Sequence, residues 1–195
     1  MDLKETIIHE SMKLFSLKGF LGTSINDILE AAGTSKGGFY NHFASKEDLF
    51  FQVLDEARRI WQEKTLWSLD QIESPIERVK RLLMNYKDRY LKDSTDFPGG
   101  CIFTTFSVEL DDRRPHLAKE VNKGFVGLKV MLKRFLDEGQ ELGELSQDVN
   151  TVAVTELLMS GMVGSSVIYG VDKSSDSLDA SINALIDYLE ELEPT

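Results

Sequence analysis

The chain has 195 residues and a mass of 22.0 kDa, with 42% hydrophobic and 28% charged residues. That balance excludes disordered and collagen-like chains and allows one large or two small domains. The formal net charge of −11 is uneven: residues 1–64 hold 8 Lys/Arg against 10 Asp/Glu, and residues 65–195 hold 14 against 23. Contact with a polyanion would therefore have to come from a local strip in the amino-terminal part. The single cysteine, Cys101, excludes an intramolecular disulfide framework. With charges spread through the first eighteen residues and no apolar signal core, a reducing cytoplasm is expected. The longest uncharged apolar run, residues 157–171, counts 15. That is short of the ~20 a membrane span needs, and no membrane partner is expected.

Apolar residues recur at helical spacing almost throughout, and period-two alternation is nearly absent. Ile8, Met12 and Phe15 mark a first helix that ends near Gly19. Ser24 with Asp27 three residues on reads as a capping box for a short second helix carrying Ile25, Ile28 and Leu29. Ala32-Gly33-Thr34 breaks it, and Ser35 caps a third helix running to about His42. A fourth starts at Ser45 and reaches about residue 67. Ser74-Pro75, with Glu77 as capping-box partner, opens a helix to about Lys92. Residues 93–100 read as loop, 101–110 as a short apolar helix. The next, from Pro115 to about Leu142, carries Leu117, Val121, Phe125, Leu128, Leu132 and Phe135. Helices over about 149–170 and 176–191 complete an all-α chain of about nine helices.

The second and third helices are separated only by Gly33 and its neighbours, the spacing of a helix-turn-helix. In that motif the start of the second helix meets base edges in the major groove. Thr34, Ser35, Lys36 and Gly37 occupy that end here, where free backbone N–H groups also suit phosphate. Thr23 and Ser24 offer hydroxyls at the preceding helix start, and Lys46 a cation at the next.

Residues 23–49, TSINDILEAAGTSKGGFYNHFASKEDL, with Leu14-Phe15 and Gly19-Phe20 upstream, resemble the DNA-binding region of tetracycline-repressor-like (TetR) transcriptional regulators. The resemblance spans roughly residues 7–50. It implies a three-helix DNA-binding domain over 1–46, joined through the helix from 45 to about 67 to a helical ligand-binding and dimerisation domain over 47–195. It places Ser35, Lys36 and Gly37 at the groove-facing start of the recognition helix and Tyr40 and His42 at phosphates or groove edge. Lys46, Thr23 and Ser24 are placed at phosphates, with Phe39 and Phe43 as packing. Packing remains the alternative for Tyr40, and no contact the alternative for His42. Gly37-Gly38 departs from the family pattern, which usually has a larger residue second. Each glycine costs roughly 1 kcal/mol against alanine, so a frayed recognition helix is expected, with specificity leaning on Thr34, Asn41 and DNA shape.

One short helix reads too little sequence to find an operator, whereas a dimer places two about 34–36 Å apart on a pseudo-palindromic site. The last two helices are the expected dimer surface of a homodimer. One offers Leu178, Ile182, Leu185, Leu189 and Leu192, the other Leu157, Gly161, Gly164 and Ile168. The alternative is that these residues bury helices within one subunit. The middle helices are left for a small-molecule effector. Candidates are Tyr86, Tyr90, Phe103, Phe106, Phe125 and Tyr169, with Glu109 and Glu156 as isolated acids in apolar surroundings. Cys101, after Gly99-Gly100, resembles a glycine-cysteine segment of family members that sense electrophiles or oxidants; the alternative is a small buried apolar residue.

Chemistry of the enzymatic kind has no footing in the sequence. His9, His42 and His116 lack metal-ligand spacing, and no phosphate loop, nucleophile elbow or carboxylate pair is present. No cofactor or metal is expected. The leading expectation is a ligand-responsive repressor; the competing readings are an activator of the same fold and an interaction protein that no longer binds DNA.

Overall fold

The computed structural model describes residues 2–194. Among them are nine α-helices and no strand: α1 Leu3–Lys18, α2 Ile25–Ala31, α3 Lys36–Tyr40, α4 Lys46–Thr65, α5 Pro75–Asn85, α6 Ile102–Leu110, α7 Pro115–Glu141, α8 Thr151–Asp172 and α9 Ser175–Glu191. The all-α expectation and its helix count agree with this. A 3-10 turn, Leu69–Gln71, precedes α5, and α5 runs on as a π-helical turn over Tyr86–Leu91. The single helix expected to about Lys92 thus changes its hydrogen-bond pattern there: the Lys92 N–H bonds the Lys87 carbonyl, five residues back, at 3.1 Å.

The caps explain most of the boundaries. Asp2 and Glu5 form a reciprocal box at α1, Ser24 and Asp27 another at α2. At α5 the Ser74 Oγ accepts from the Glu77 N–H, as expected. The Glu77 carboxylate, however, turns to Lys80 at 2.9 Å. Glu144 takes its place, accepting from the Ser74 hydroxyl at 2.7 Å and the Ile76 N–H at 3.1 Å.

The chain forms two compact units, each assembled from separate stretches: Met1–Ile60 with Asp93–Val121, and Trp61–Lys92 with Asn122–Thr195. The expected single boundary at 46/47 differs from this grouping, because α6 is built into the same core as α1 and α4. In that core Phe15 of α1, Phe20 of the α1–α2 turn, Phe50 of α4 and Phe106 of α6 form a closed ring. Their centroids are 5.6 Å (Phe15–Phe20), 5.2 Å (Phe20–Phe50), 4.9 Å (Phe50–Phe106) and 6.0 Å (Phe106–Phe15) apart. All four rings are buried, and edge-on or tilted pairs at such distances add to the gain from removing their area from water.

The second unit packs α5, the π turn, α8, α9 and most of α7 around Leu82, Leu83, Leu132, Leu136, Leu158 and Ile182, all fully buried. Lys87 is also buried there, 3.3 Å from Asp179, which in turn takes Lys92 at 2.7 Å. Those contacts, Lys92 foremost, hold the Asp179 carboxyl below its usual range.

The α9 seam expected at a dimer surface is spent inside the subunit. Ile182 and Leu189 are fully buried, and Leu185 lies so close to Gly161 that a Cβ there would meet it at 2.7 Å. The reason is that α9 lays its apolar side on α8 and α5. Exposed apolar residues sit instead on α8: Leu157, Val167, Ile168 and Val171. At 22 residues, α8 is long and apolar enough to cross a membrane by length and composition alone, beyond the 15-residue run read from sequence.

Phe106→Ala should cost about 3–5 kcal/mol of stability, because it opens a cavity between the remaining rings. Urea unfolding measures this, and a loss below about 1 kcal/mol would place α6 outside the shared core.

Candidate nucleic-acid interface

The helix-turn-helix is assembled by local hydrogen bonds. The α2 end is closed by the Ala32 N–H on the Ile28 carbonyl and the Thr34 N–H on the Leu29 carbonyl. Ser35 then caps α3 by accepting from the Gly38 N–H at 3.1 Å. Phe39 and Phe43 are buried beneath, 5.4 Å apart, as expected of packing residues. Ser24, Ser35, Lys36, Gly37, Tyr40, Asn41 and His42 are exposed, and Thr34 is half-buried. Tyr40 is 52% exposed and stands edge-on to Phe39 at 5.1 Å. It is therefore a packing partner on one edge and open on the other. A Cβ on Gly38 would meet the Thr34 hydroxyl, which would have to turn aside.

Two residues expected at phosphates are otherwise engaged. Thr23 is buried, and its hydroxyl donates to the Gly19 carbonyl at 2.7 Å, so its side chain is a brace for the turn. The Lys46 ammonium donates to the carbonyls of Phe20 and Thr23, both at 2.8 Å, and sits 4.3 Å from the centre of the Phe20 ring. Burial pulls the Lys46 pKa down, with the Glu109 carboxylate acting against it. Ser24 belongs to the α2 cap, where its hydroxyl and N–H, with Lys18, hold the Asp27 carboxyl down at about 2.

The other side of the same turn is held by Glu109 of α6. Its carboxylate accepts from the N–H of Phe20 at 2.6 Å, of Leu21 at 2.7 Å and of Gly22 at 3.3 Å. Gly19 precedes them with φ +74°, and a Cβ there would lie 2.5 Å from the Glu109 Oε1. A second attachment lies at the lead into α6. The Gly99 N–H donates to the Ser16 Oγ at 3.2 Å, and a Cβ on Gly99 would overlap the Ser16 carbonyl.

Comparison with known proteins agrees with this architecture. Residues 7–53 match the family model of bacterial regulatory proteins of the tetR family, and residues 75–185 that of the tetracyclin repressor-like C-terminal domain. The chain belongs to the TetR family. The repressor DhaR of Mycobacterium sp. strain GP1 is 26% identical over 187 residues, covering 96% of this chain and 92% of its own. The regulator QacR of Staphylococcus aureus is 35% identical over 85 residues, 44% of each chain. A TetR regulator from Chloroflexus aurantiacus shares the fold with a TM-score of 0.89 at 24% identity, over 97% of this chain and 94% of its own. AibR, solved in complex with isovaleryl coenzyme A and operator DNA, superposes with a TM-score of 0.74 at 15% identity, over 95% and 98%. TetR regulators bind operator DNA, act as dimers and respond to small-molecule effectors. This chain is accordingly a DNA-binding transcriptional regulator and not an enzyme.

The expected effector residues of this TetR protein divide between its two units. Tyr86 and Tyr90 are buried and stacked with centroids 5.7 Å apart, and the Tyr86 hydroxyl donates to the Met162 carbonyl at 3.3 Å. Phe125 and Tyr169 are half-buried in the same unit, Tyr169 with the Lys173 ammonium 5.7 Å from its ring. Cys101 is buried at the start of α6, and Phe103 is half-buried beside it in sequence. Three expectations are corrected. Phe106 belongs to the four-ring core. Glu109 is not an isolated acid, because the turn amides surround its oxygens. Glu156 is exposed and paired with Lys129 at 2.6 Å. Sequence reasoning missed the amides of Phe20, Leu21 and Gly22 as the seat of Glu109. A separation of up to 89 residues leaves no local pattern to find them by.

Two measurements check this geometry. Hydrogen exchange on the free protein should show α3, with five residues and two glycines, exchanging faster than α1; equal protection would sink the frayed-helix reading. An NMR titration should give Asp27 a midpoint of about 2, moved back up toward the ordinary 3.8 by Ser24→Ala. Because the folded pKa is depressed, the stability this cap adds is present above the ordinary carboxylate range and is lost as pH falls through about 2.

Proposed function

We propose that the protein is a cytoplasmic, homodimeric repressor that leaves a pseudo-palindromic operator when a small molecule binds. The observation that carries this reading is the exposed start of α3. There Lys36 makes no ion pair among the described residues, with the Ser35 cap before it, while Tyr40, Asn41 and His42 lie exposed at the other end of the segment, above the buried Phe39 and Phe43. An unpaired cation beside exposed polar side chains suits a phosphate-lined groove. Ser24, Thr34 and Gly37 flank that surface, while Lys46 supports it from behind by holding the carbonyls of Phe20 and Thr23.

The exposed apolar side of α8, with Leu157, Gly164 and Ile168, supports the two-fold contact of a dimer. Repression by this chain is supported by the repressor DhaR over nearly its full length. An organic molecule as effector is supported by AibR, which was solved in complex with isovaleryl coenzyme A and operator DNA. The buried, stacked Tyr86 and Tyr90 are the aromatic candidates for contact with such an effector. A release that weakens operator binding ~100-fold needs about 2.7 kcal/mol of differential binding between the two states. The helix from residue 46 to 65 joins the amino-terminal helices to the remainder of the chain and is the lever for that difference.

Fluorescence anisotropy with the protein's own promoter fragment tests the reading. With four to six phosphates neutralised per dimer, the log–log salt dependence should have a slope of about −4 to −5. Lys36→Ala and Tyr40→Ala should each weaken binding while leaving the fold intact. A slope near zero, or binding indifferent to both substitutions, would remove DNA as the partner read by α3.

A further inference from the structure

We propose that Glu109 of α6 is a positioning residue for operator binding: its carboxylate, seated on the N–H groups of Phe20, Leu21 and Gly22, holds the α1–α2 turn in the shape that presents the start of α2 to DNA. The proposal rests on the operator-binding reading above. It concerns a residue that lies outside the DNA-reading motif in sequence and touches no DNA-facing atom itself.

The geometry gives Glu109 a definite task. A short turn between α1 and α2 leaves several N–H groups without helical partners. Three of them converge on one carboxylate at 2.6, 2.7 and 3.3 Å. Bonds from N–H to an ionised oxygen are roughly twice as strong as neutral ones. Two carbonyls of the same turn, those of Phe20 and Thr23, are taken by the Lys46 ammonium at 2.8 Å each. The turn is thus gripped by an anion on its N–H side and a cation on its carbonyl side, while the buried Thr23 hydroxyl braces it from within at 2.7 Å. This conformation satisfies both charges at once, so the direction of α2 is set by groups on α6 and α4. Gly19 completes the fit, since any side chain there would occupy the space of the carboxylate.

The helix that carries the carboxylate is held at its middle and at the lead into its start. Phe106, one turn before Glu109, is fixed in the four-ring core, and Gly99 ties the lead into α6 to Ser16 of α1. α6 therefore cannot shift without pulling on the turn, and a force on α6 is passed to the DNA-reading helices through Glu109.

The test uses Glu109→Gln and Glu109→Asp in the full chain, with the parent as control. Gln keeps the shape and one acceptor oxygen but turns an N–H2 toward the turn amides; Asp keeps the charge but falls a methylene short. Circular dichroism and thermal melting establish the temperature at which each variant is folded, and anisotropy on the promoter fragment is read well below it. The expected result for Gln is about tenfold weaker operator binding, because bonds of this charge-assisted kind are removed. The salt slope should stay close to the parent's, because the start of α2 carries no Lys or Arg whose loss would change counterion release. Hydrogen exchange should speed up at Phe20 and Leu21 while Phe15 keeps its protection. Parental affinity in both folded variants would overturn the proposal, as would unchanged exchange at Phe20 and Leu21. If the parent itself ignores the fragment, it is the operator-binding reading that fails; exchange at the turn still reports on the grip of Glu109.

Discussion

Four phenyl rings decide which parts of this protein move together. Phe15, Phe20, Phe50 and Phe106 come from α1, the turn after it, α4 and α6, and each is buried against two of the others. Aromatic area removed from water is the largest single stabilising contribution a small core can draw on, and edge-on contacts add direction to it. Because one ring belongs to α6, that helix is part of the DNA-reading unit although residues 66–101 separate it from α4 in sequence. The hydrogen bonds of Glu109 and Gly99 are made where the rings bring the backbones together, and without that packing neither would find its partner.

Charge placement follows from the same arrangement. A protein with a net charge of −11 binds a polyanion only through a sparse local surface. Most cations near that surface are engaged: Lys18 with Asp27 at 3.2 Å, Lys13 with Glu10 at 3.1 Å, and Lys46 with two backbone carbonyls. Lys36 stands apart from these. The electrostatic footprint is therefore small and set by geometry, and weak non-specific attraction leaves recognition to the shape and orientation of α2 and α3. Fixing the turn between α1 and α2 by opposed charges suits a reader that makes few contacts and must place each of them well.

Much of the fold was legible in the sequence, and the pieces that were legible share a cause. The α2 capping box, the Gly19 exit from α1, the Ser35 cap and the Pro75 start are written within four residues of the boundary they set. The string from Thr23 to Leu49 pointed to the family by resemblance, and the residues in and around α3 that it assigned to DNA are exposed apart from the half-buried Thr34. Less legible were the residues whose partners lie far along the chain. Thr23 and Lys46 look like phosphate ligands because a hydroxyl and an ammonium suit phosphate, yet both serve backbone carbonyls within their own unit. Ile182 and Leu189 have the spacing of a dimer seam, but the same spacing equally serves a helix laid on its neighbour, and burial within the subunit is what they have.

By itself the sequence determined helices, their caps and the helix-turn-helix, because hydrogen bonds and apolar periodicity within a few residues suffice for these. Only the tertiary structure decided where the carboxylates of Glu109 and Glu156 go, which face of α8 stays exposed, and that α6 packs with α1. Those outcomes depend on which surfaces meet when the chain closes over separations of up to 89 residues. An acidic side chain carries the same formula whether it ends on a lysine, in water or on three backbone amides, and only its neighbours in space distinguish the cases.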